Sequence, residues 1–282
     1  MFFFNAFTGF LWELQAIYKF ISMILFDSHC HLQNERCIGT IDVIMDRAGS
    51  AGVRHVLCCG TAEQDWESVR LLAMNHRGII PAFGLHPWFV KERSLSWLEK
   101  LEKLLLAVPS ATVGEIGLDH ALDERIDDDQ GVVFVAQLKL ARRLSRPVSI
   151  HCRKAWGDLL DILTAQCGLP HGGAIHSFSG PADLIPRLVK LNASFSFSGS
   201  ITFDRNRRGR ASALAVPEER LLIETDAPDI PPRGIGDGAN EPANCAMVAQ
   251  TLAELRGCSI EEIGEVTSGN AIKLFVPQQP GV

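Results

Sequence analysis

The sequence predicts a single-domain (β/α)8 barrel. Eight short β-rich runs alternate with helical patterns over about 250 residues, the strand and helix count of that fold. Several of the runs, such as Val53–Cys59 and Leu221–Ile223, are almost continuously apolar, which suits strands buried on both faces of a parallel sheet. No glycine-rich phosphate fingerprint follows the first run, which sets a doubly wound open sheet aside.

Taken in order, the strands are expected at 24–28, 53–59, 79–84, 112–116, 147–151, 173–177, 193–198 and 221–225. Helical periodicity fills 41–50, 62–76, 94–107, 129–145, 154–166, 182–191 and 243–256 between and after them. Pro181 after Gly180 suits a helix opening. A last helix over 260–274 starts with the capping box Ser259-x-x-Glu262. No linker, charge block or low-complexity run divides the chain, so residues 23–276 form one domain with a short tail over 277–282.

Residues 1–22 stand apart. They are apolar but lack a basic start and a small-residue cleavage site, and Glu13, Gln15 and Lys19 interrupt any membrane span. Two readings remain: an upstream extension before a natural start at Met23, or an amphipathic helix with Leu11, Leu14, Ile17, Tyr18 and Ile21 on its apolar face.

The hydrophobic fraction is 46%, the charged fraction 21% and the net charge −6. That balance is globular, and it argues against a protein that coats nucleic acid electrostatically. It leaves room for an enzyme that engages a strand end through a local basic patch. The eight cysteines show no C-x-x-C pair and no zinc-finger spacing, so a reduced, cytoplasmic protein is expected.

The chemistry is written at the strand ends. His29 and His31 close the first strand two residues apart, so on an extended backbone their imidazoles share a face. Glu115 ends the fourth strand, His151 the fifth, His176 the sixth and Asp226 the eighth. Each alone has a plain alternative: His151 a core histidine, Asp226 a helix N-cap before Ala227-Pro228. Together they place ligand-type side chains where barrel active sites gather. Four imidazoles and two carboxylates exceed one tetrahedral site and suit two divalent ions, with a bridging carboxylate and a shared water of lowered pKa. The imidazoles favour zinc, while bridging carboxylates and a phosphate substrate favour manganese or magnesium.

The ordered motifs Asp27-Ser28-His29-Cys30-His31, Gly84-Leu85-His86-Pro87-Trp88, Gly114–Asp119, Ile150–Ala155, His176–Gly180 and Glu224–Pro228 resemble the TatD family of metal-dependent deoxyribonucleases, within the amidohydrolase-like barrels. Asn240-Glu241-Pro242 and Asn270-Ala271-x-x-Leu274-Phe275 continue the match to about residue 276. The resemblance implies that His29, His31, Glu115 and Asp226 hold one metal. It implies that His151 and His176, with Glu115 bridging, hold the second, and that Asp226 also serves as general base. It further implies a DNA strand end as substrate, shortened from 3′ to 5′. The loop after Asp119 departs from the family, with His120 where an aromatic is expected.

Substrate contacts are read from position. His86 is placed to donate to a phosphate oxygen, and Arg153 and Lys154, just after His151, to neutralise one. Trp88 either offers a base-stacking face or packs a tight turn. The run Asp204–Arg210, including Arg205, follows strand seven near the place where barrels bind phosphate. Two rivals stand beside the nuclease: carbonyl hydrolysis at the same centre, such as D-aminoacyl-tRNA deacylation, and a non-catalytic nucleic-acid-binding barrel. Neither stable membrane association nor a particular oligomeric state is indicated.

Overall fold

The structure is a computed structural model that describes residues 24–37, 39–123, 126–236 and 240–277; the expected segment 1–22 and the tail beyond 277 lie outside the described residues. Eight strands, β1 (Leu25–Cys30), β2 (Val53–Cys59), β3 (Ile79–Phe83), β4 (Thr112–Asp119), β5 (Val148–Arg153), β6 (Gly173–Ile175), β7 (Ala193–Phe197) and β8 (Leu221–Ile223), pair in sequence order. Every neighbouring pair is parallel. The edges meet: the Asp226 N–H donates to the His29 carbonyl at 2.9 Å, and the His31 N–H to the Ala227 carbonyl at 2.6 Å. The expected barrel is therefore the observed fold.

Around it run α1 (Ile41–Ser50), α2 (Trp66–Asn75), α3 (Trp97–Ala107), α4 (Asp127–Arg143), α5 (Trp156–Ala165), α6 (Ile185–Lys190), α7 (Arg207–Ala215), α8 (Cys245–Arg256) and α9 (Ile260–Phe275). The capping box forms, with the Ser259 N–H on Glu262 at 2.7 Å and the Glu262 N–H on Ser259 Oγ at 3.2 Å. Helix α2 starts at Trp66, four residues later than expected, because Asp65 folds back to accept from the Thr61 and Ala62 N–H groups. Helix α7 was not expected at all. Its Arg207-Arg208-Gly209-Arg210 opening has no apolar stripe, though Asn206 caps it by accepting the Gly209 N–H at 3.0 Å. Among the described residues, no helix is long and apolar enough to cross a membrane.

The barrel interior changes character along its axis. At the floor, Phe26, Leu57, Ala82, Ala174 and Leu222 form an apolar plug closed by Ala271 and Phe275 of α9. Above it the inward positions turn polar: Ser28, Ser149, Ser196 and Glu224 are all buried. Ser28 donates to Ser196 at 3.0 Å, and Ser196 donates to Glu224. Because buried polar groups need partners, this layer fixes the strands rather than filling space. The site sits on that layer.

Asp27 fastens β1 to the chain after β8. Its carboxylate accepts from the Thr225 N–H at 2.9 Å, the Thr225 hydroxyl at 2.5 Å and the His29 N–H at 3.3 Å. Burial raises its pKa to about 8 against the lowering effect of those bonds. The folded protein thus binds this proton more tightly than the unfolded chain, and the stability it confers falls as pH rises from about 4 to about 8. Asp27→Ala leaves buried donors unpaired and is expected to cost about 3 kcal/mol or more in urea unfolding. Asp27→Asn should cost less and flatten that part of the pH dependence.

Candidate metal centre

All six expected ligands converge at the C-terminal mouth of the barrel. β1 runs two residues further than expected, so His29 lies within it and is fully buried, while His31 follows it. β4 and β5 also run on, paired through Gly117↔His151 and Asp119↔Arg153, which carries Glu115 and His151 inside the strands. β6 and β8 stop early, so His176 and Asp226 leave from the turns beyond them. Asp226 has φ of 59°, the left-handed region that a non-glycine residue rarely adopts and that recurs at functional sites.

Glu115 stands between two sets of donors. Its Oε2 lies 3.4 Å from both His29 Nε2 and His31 Nε2, and those two nitrogens are 3.2 Å apart. Its Oε1 lies 2.8 Å from His176 Nε2 and 3.0 Å from His151 Nδ1, themselves 3.0 Å apart. Asp226 Oδ1 joins the first set, 3.4 Å from His31 Nε2.

The far nitrogens face partners that orient the rings. His31 Nδ1 meets the Cys59 carbonyl at 2.8 Å and must donate, so once the ring is neutral the lone pair is on Nε2. His151 Nε2 faces Asp119 Oδ2 at 3.2 Å, leaving Nδ1 toward Glu115. His29 Nδ1 meets Ser149 Oγ at 2.9 Å. His176 Nδ1 lies 3.4 Å from Glu224 Oε1, a buried carboxylate behind the imidazole. Lone pairs converging on one another from oriented imidazoles, with a carboxylate between, fit divalent metal and little else.

His86 reaches the same cluster, with Nε2 3.3 Å from Glu115 Oε1, but in another capacity. Its Nδ1 accepts the Trp88 N–H at 3.1 Å, so the neutral ring carries its hydrogen on Nε2 and donates. Burial lowers its pKa to about 4, against the attraction of Glu115, so it is neutral at physiological pH. Its position therefore suits a donor to substrate oxygen more than a ligand.

Electrostatics of the metal-free cluster follow from the same contacts. Burial pushes Glu115 up, yet the surrounding imidazoles of His86, His176 and His29 hold it well below the ordinary range. Burial pushes His31 down, but Asp226 and Glu115 lift it to about 10. His176 is likewise raised by Glu115 and Glu224 over the effect of burial. Asp226 is lowered, burial being outweighed by His31, His176 and His29.

Two supporting residues escaped the sequence reading. Asp119, pushed up by burial, is brought down to about 2 by bonds from His151, Trp88 and Ala121. Glu224 backs His176. Both lie in the motifs named above, Asp119 one strand away from His151 and Glu224 two strands away from His176. Asp119→Ala is expected to weaken metal binding by about 10–100-fold, the usual effect of losing a ligand's outer partner, as read by equilibrium dialysis.

A cavity of about 660 Å³ opens over the cluster, lined by Trp88, Arg153 and Asn206 among others. Trp88 is 50% exposed and lines this cavity. Arg153 stands exposed at the mouth. Arg205 is not brought to the cavity: its guanidinium lies over the Phe203 ring at 5.2 Å. Lys154 is exposed outside it, and His120 turns away toward Asp127 and Asp158, at 3.7 and 3.6 Å. A larger depression of about 920 Å³ between α4 and α5 holds none of the six candidate ligands.

Comparison with known proteins agrees with this geometry. Residues 26–276 match the family described as TatD related DNase. The chain is 32% identical over 255 residues to the uncharacterized metal-dependent hydrolase YabD of Bacillus subtilis (strain 168), covering 89% of this chain and 99% of that protein. It is 34% identical over 251 residues to the uncharacterized metal-dependent hydrolase YjjV of Escherichia coli (strain K12), covering 88% and 96%. The crystal structure of that TatD homologue superimposes with a TM-score of 0.86 at 34% identity, over 90% of this chain and 98% of the other. The chain belongs to the TatD family of metal-dependent hydrolases.

Proposed function

We propose that this protein hydrolyses phosphodiester bonds in DNA, removing nucleotides from a 3′ end. The observation that carries the reading is the division of the two Glu115 oxygens between two pairs of imidazoles. His29, His31, Asp226 and Glu115 would hold one divalent ion, and His151, His176 and Glu115 a second. Bound zinc, manganese or magnesium supplies Lewis acidity, lowering the pKa of water and offsetting phosphate charge.

The chain's own groups do the rest. The Asp226 carboxylate, held ionised by its imidazole neighbours, takes the proton from the attacking water. The His86 Nε2–H donates to a non-bridging phosphate oxygen, and Arg153 offsets phosphate charge at the mouth. The substrate partner is a single strand or strand end, and a cytoplasmic setting suits the reduced cysteines, free at all eight positions.

The test is a substrate panel on one protein preparation: 5′-labelled and 3′-labelled single-stranded DNA beside a D-aminoacyl-tRNA. Cleavage of DNA with slow or absent deacylation is expected, the 5′-labelled strand giving a ladder. Deacylation without DNA cleavage would replace the proposal with carbonyl hydrolysis.

A further inference from the structure

Trp88 is half exposed, yet it is hydrogen-bonded at both its backbone and its indole. Its backbone N–H donates to His86 Nδ1 at 3.1 Å, and its indole N–H donates to Asp119 Oδ2 at 2.7 Å. The ring stands edge-on to His86, with centroids 5.0 Å apart, and 6.3 Å from His151. A large aromatic surface facing a catalytic cavity, its indole oriented by the bond to Asp119 and its backbone tied to His86, is already organised for a planar ligand and loses little rotamer freedom on binding.

The charges around the cavity favour the same kind of recognition. Among the described residues lining it, Arg153 is the one lysine or arginine, while Asp65 and Asp229 line it together with the acidic ligands. Electrostatic tracking of a long phosphate backbone has little to work with here. Stacking does not depend on charge and accepts any base.

We propose that Trp88 is the stacking platform for the base of the terminal nucleotide. The proposal rests on the phosphodiester reading above. One acceptor oxygen places this platform in register with the centre, because Asp119 Oδ2 takes both the indole N–H and the far nitrogen of His151. With the terminal phosphodiester seated at Glu115, the base attached to the departing sugar meets the indole face. Trp88 then selects for a base-bearing end, and it acts as a positioning residue for His151 through Asp119.

The experiment compares kcat/KM on two metal-supplemented substrates, a DNA strand with a natural 3′-terminal nucleotide and the same strand with an abasic 3′ terminus. The wild type is expected to prefer the natural end about tenfold or more, the scale of one base–aromatic stack. Trp88→Leu should bring that ratio close to one, chiefly through KM on the natural end. Trp88→Phe keeps a ring but loses the N–H; it should retain most of the preference while lowering kcat on both strands. A purely structural tryptophan would lower both rates in Trp88→Leu and leave their ratio unchanged, which would overturn the proposal. Equal rates on the two strands by the wild type would overturn it without touching the nuclease reading. Cleavage of neither strand would remove the nuclease reading, and the platform with it. If Trp88→Leu fails to fold, the wild-type ratio and Trp88→Phe still decide.

Discussion

Glu115→Ala is expected to lower metal-dependent turnover by at least about a thousandfold while the barrel stays folded. Losing an outer partner of a single ligand already costs about 10–100-fold, and Glu115 faces both donor sets at once. Metal content measured after dialysis should fall in parallel, and Glu115→Gln should lie between the two proteins. The same substitution should change how metal uptake depends on pH. In the metal-free protein, carboxylates lift His31 to about 10 and raise His176, so at neutral pH an incoming ion must displace protons. Metal affinity should therefore increase with pH through the neutral range, with net proton release that calorimetry in buffers of different ionisation enthalpy can read. Removing Glu115 takes away part of that lift, and proton release should shrink. Unchanged turnover in Glu115→Ala would contradict the bridging role.

Gly117→Ala is expected to be among the most damaging single-methyl changes in the chain. Gly117 sits in β4 with φ of +146°, opposite His151 in the β4–β5 register. A Cβ there would lie 1.9 Å from the His151 carbonyl oxygen and 2.8 Å from its carbonyl carbon. These are backbone atoms in the middle of a barrel, so no side chain can swing away to relieve the contact. Either the strands separate or β4 rotates, and each displaces Glu115 and His151. A loss of about 4 kcal/mol or more is expected, in the range reserved for disrupted cores, with a fall in Tm on the order of 10 °C. Gly269→Ala is the matched control. That glycine is exposed within α9, has nothing within 4 Å of a new Cβ, and should gain about 0.5–1 kcal/mol from helix propensity. Equal Tm values for the two variants would show that the β4–β5 contact tolerates a side chain.

The barrel was legible because strands buried on both faces leave runs such as Val53–Cys59 that few other structures use. The cluster of candidate ligands was legible because the fold concentrates chemistry at one end of each strand, so position and residue type could be read together. Helix α7 was lost because an arginine-rich first turn carries no apolar period, although Asn206 was a usable cap signal. The direction of Arg205 was not legible for a related reason, since a run of charge in a sequence has no direction. In the structure Arg205 lies over Phe203, while Arg210 and Arg233 engage Asp204. Asp119 meets His151 across the β4–β5 pairing, and Glu224 reaches His176 across the barrel interior past β7; neither contact exists in one segment alone. His86 shows the limit of residue type as evidence. Its backbone-fixed tautomer, and not its identity, separates it from the candidate ligand histidines.

The most direct measurement is the rate of nucleotide release from end-labelled single-stranded DNA as metal is titrated into stripped protein. A two-ion centre bridged by Glu115 requires the rate to rise to a plateau at two equivalents per chain, with Glu115→Ala flat throughout. A plateau at one equivalent would contradict the two-ion centre, and no release with magnesium, manganese or zinc would contradict the nuclease reading.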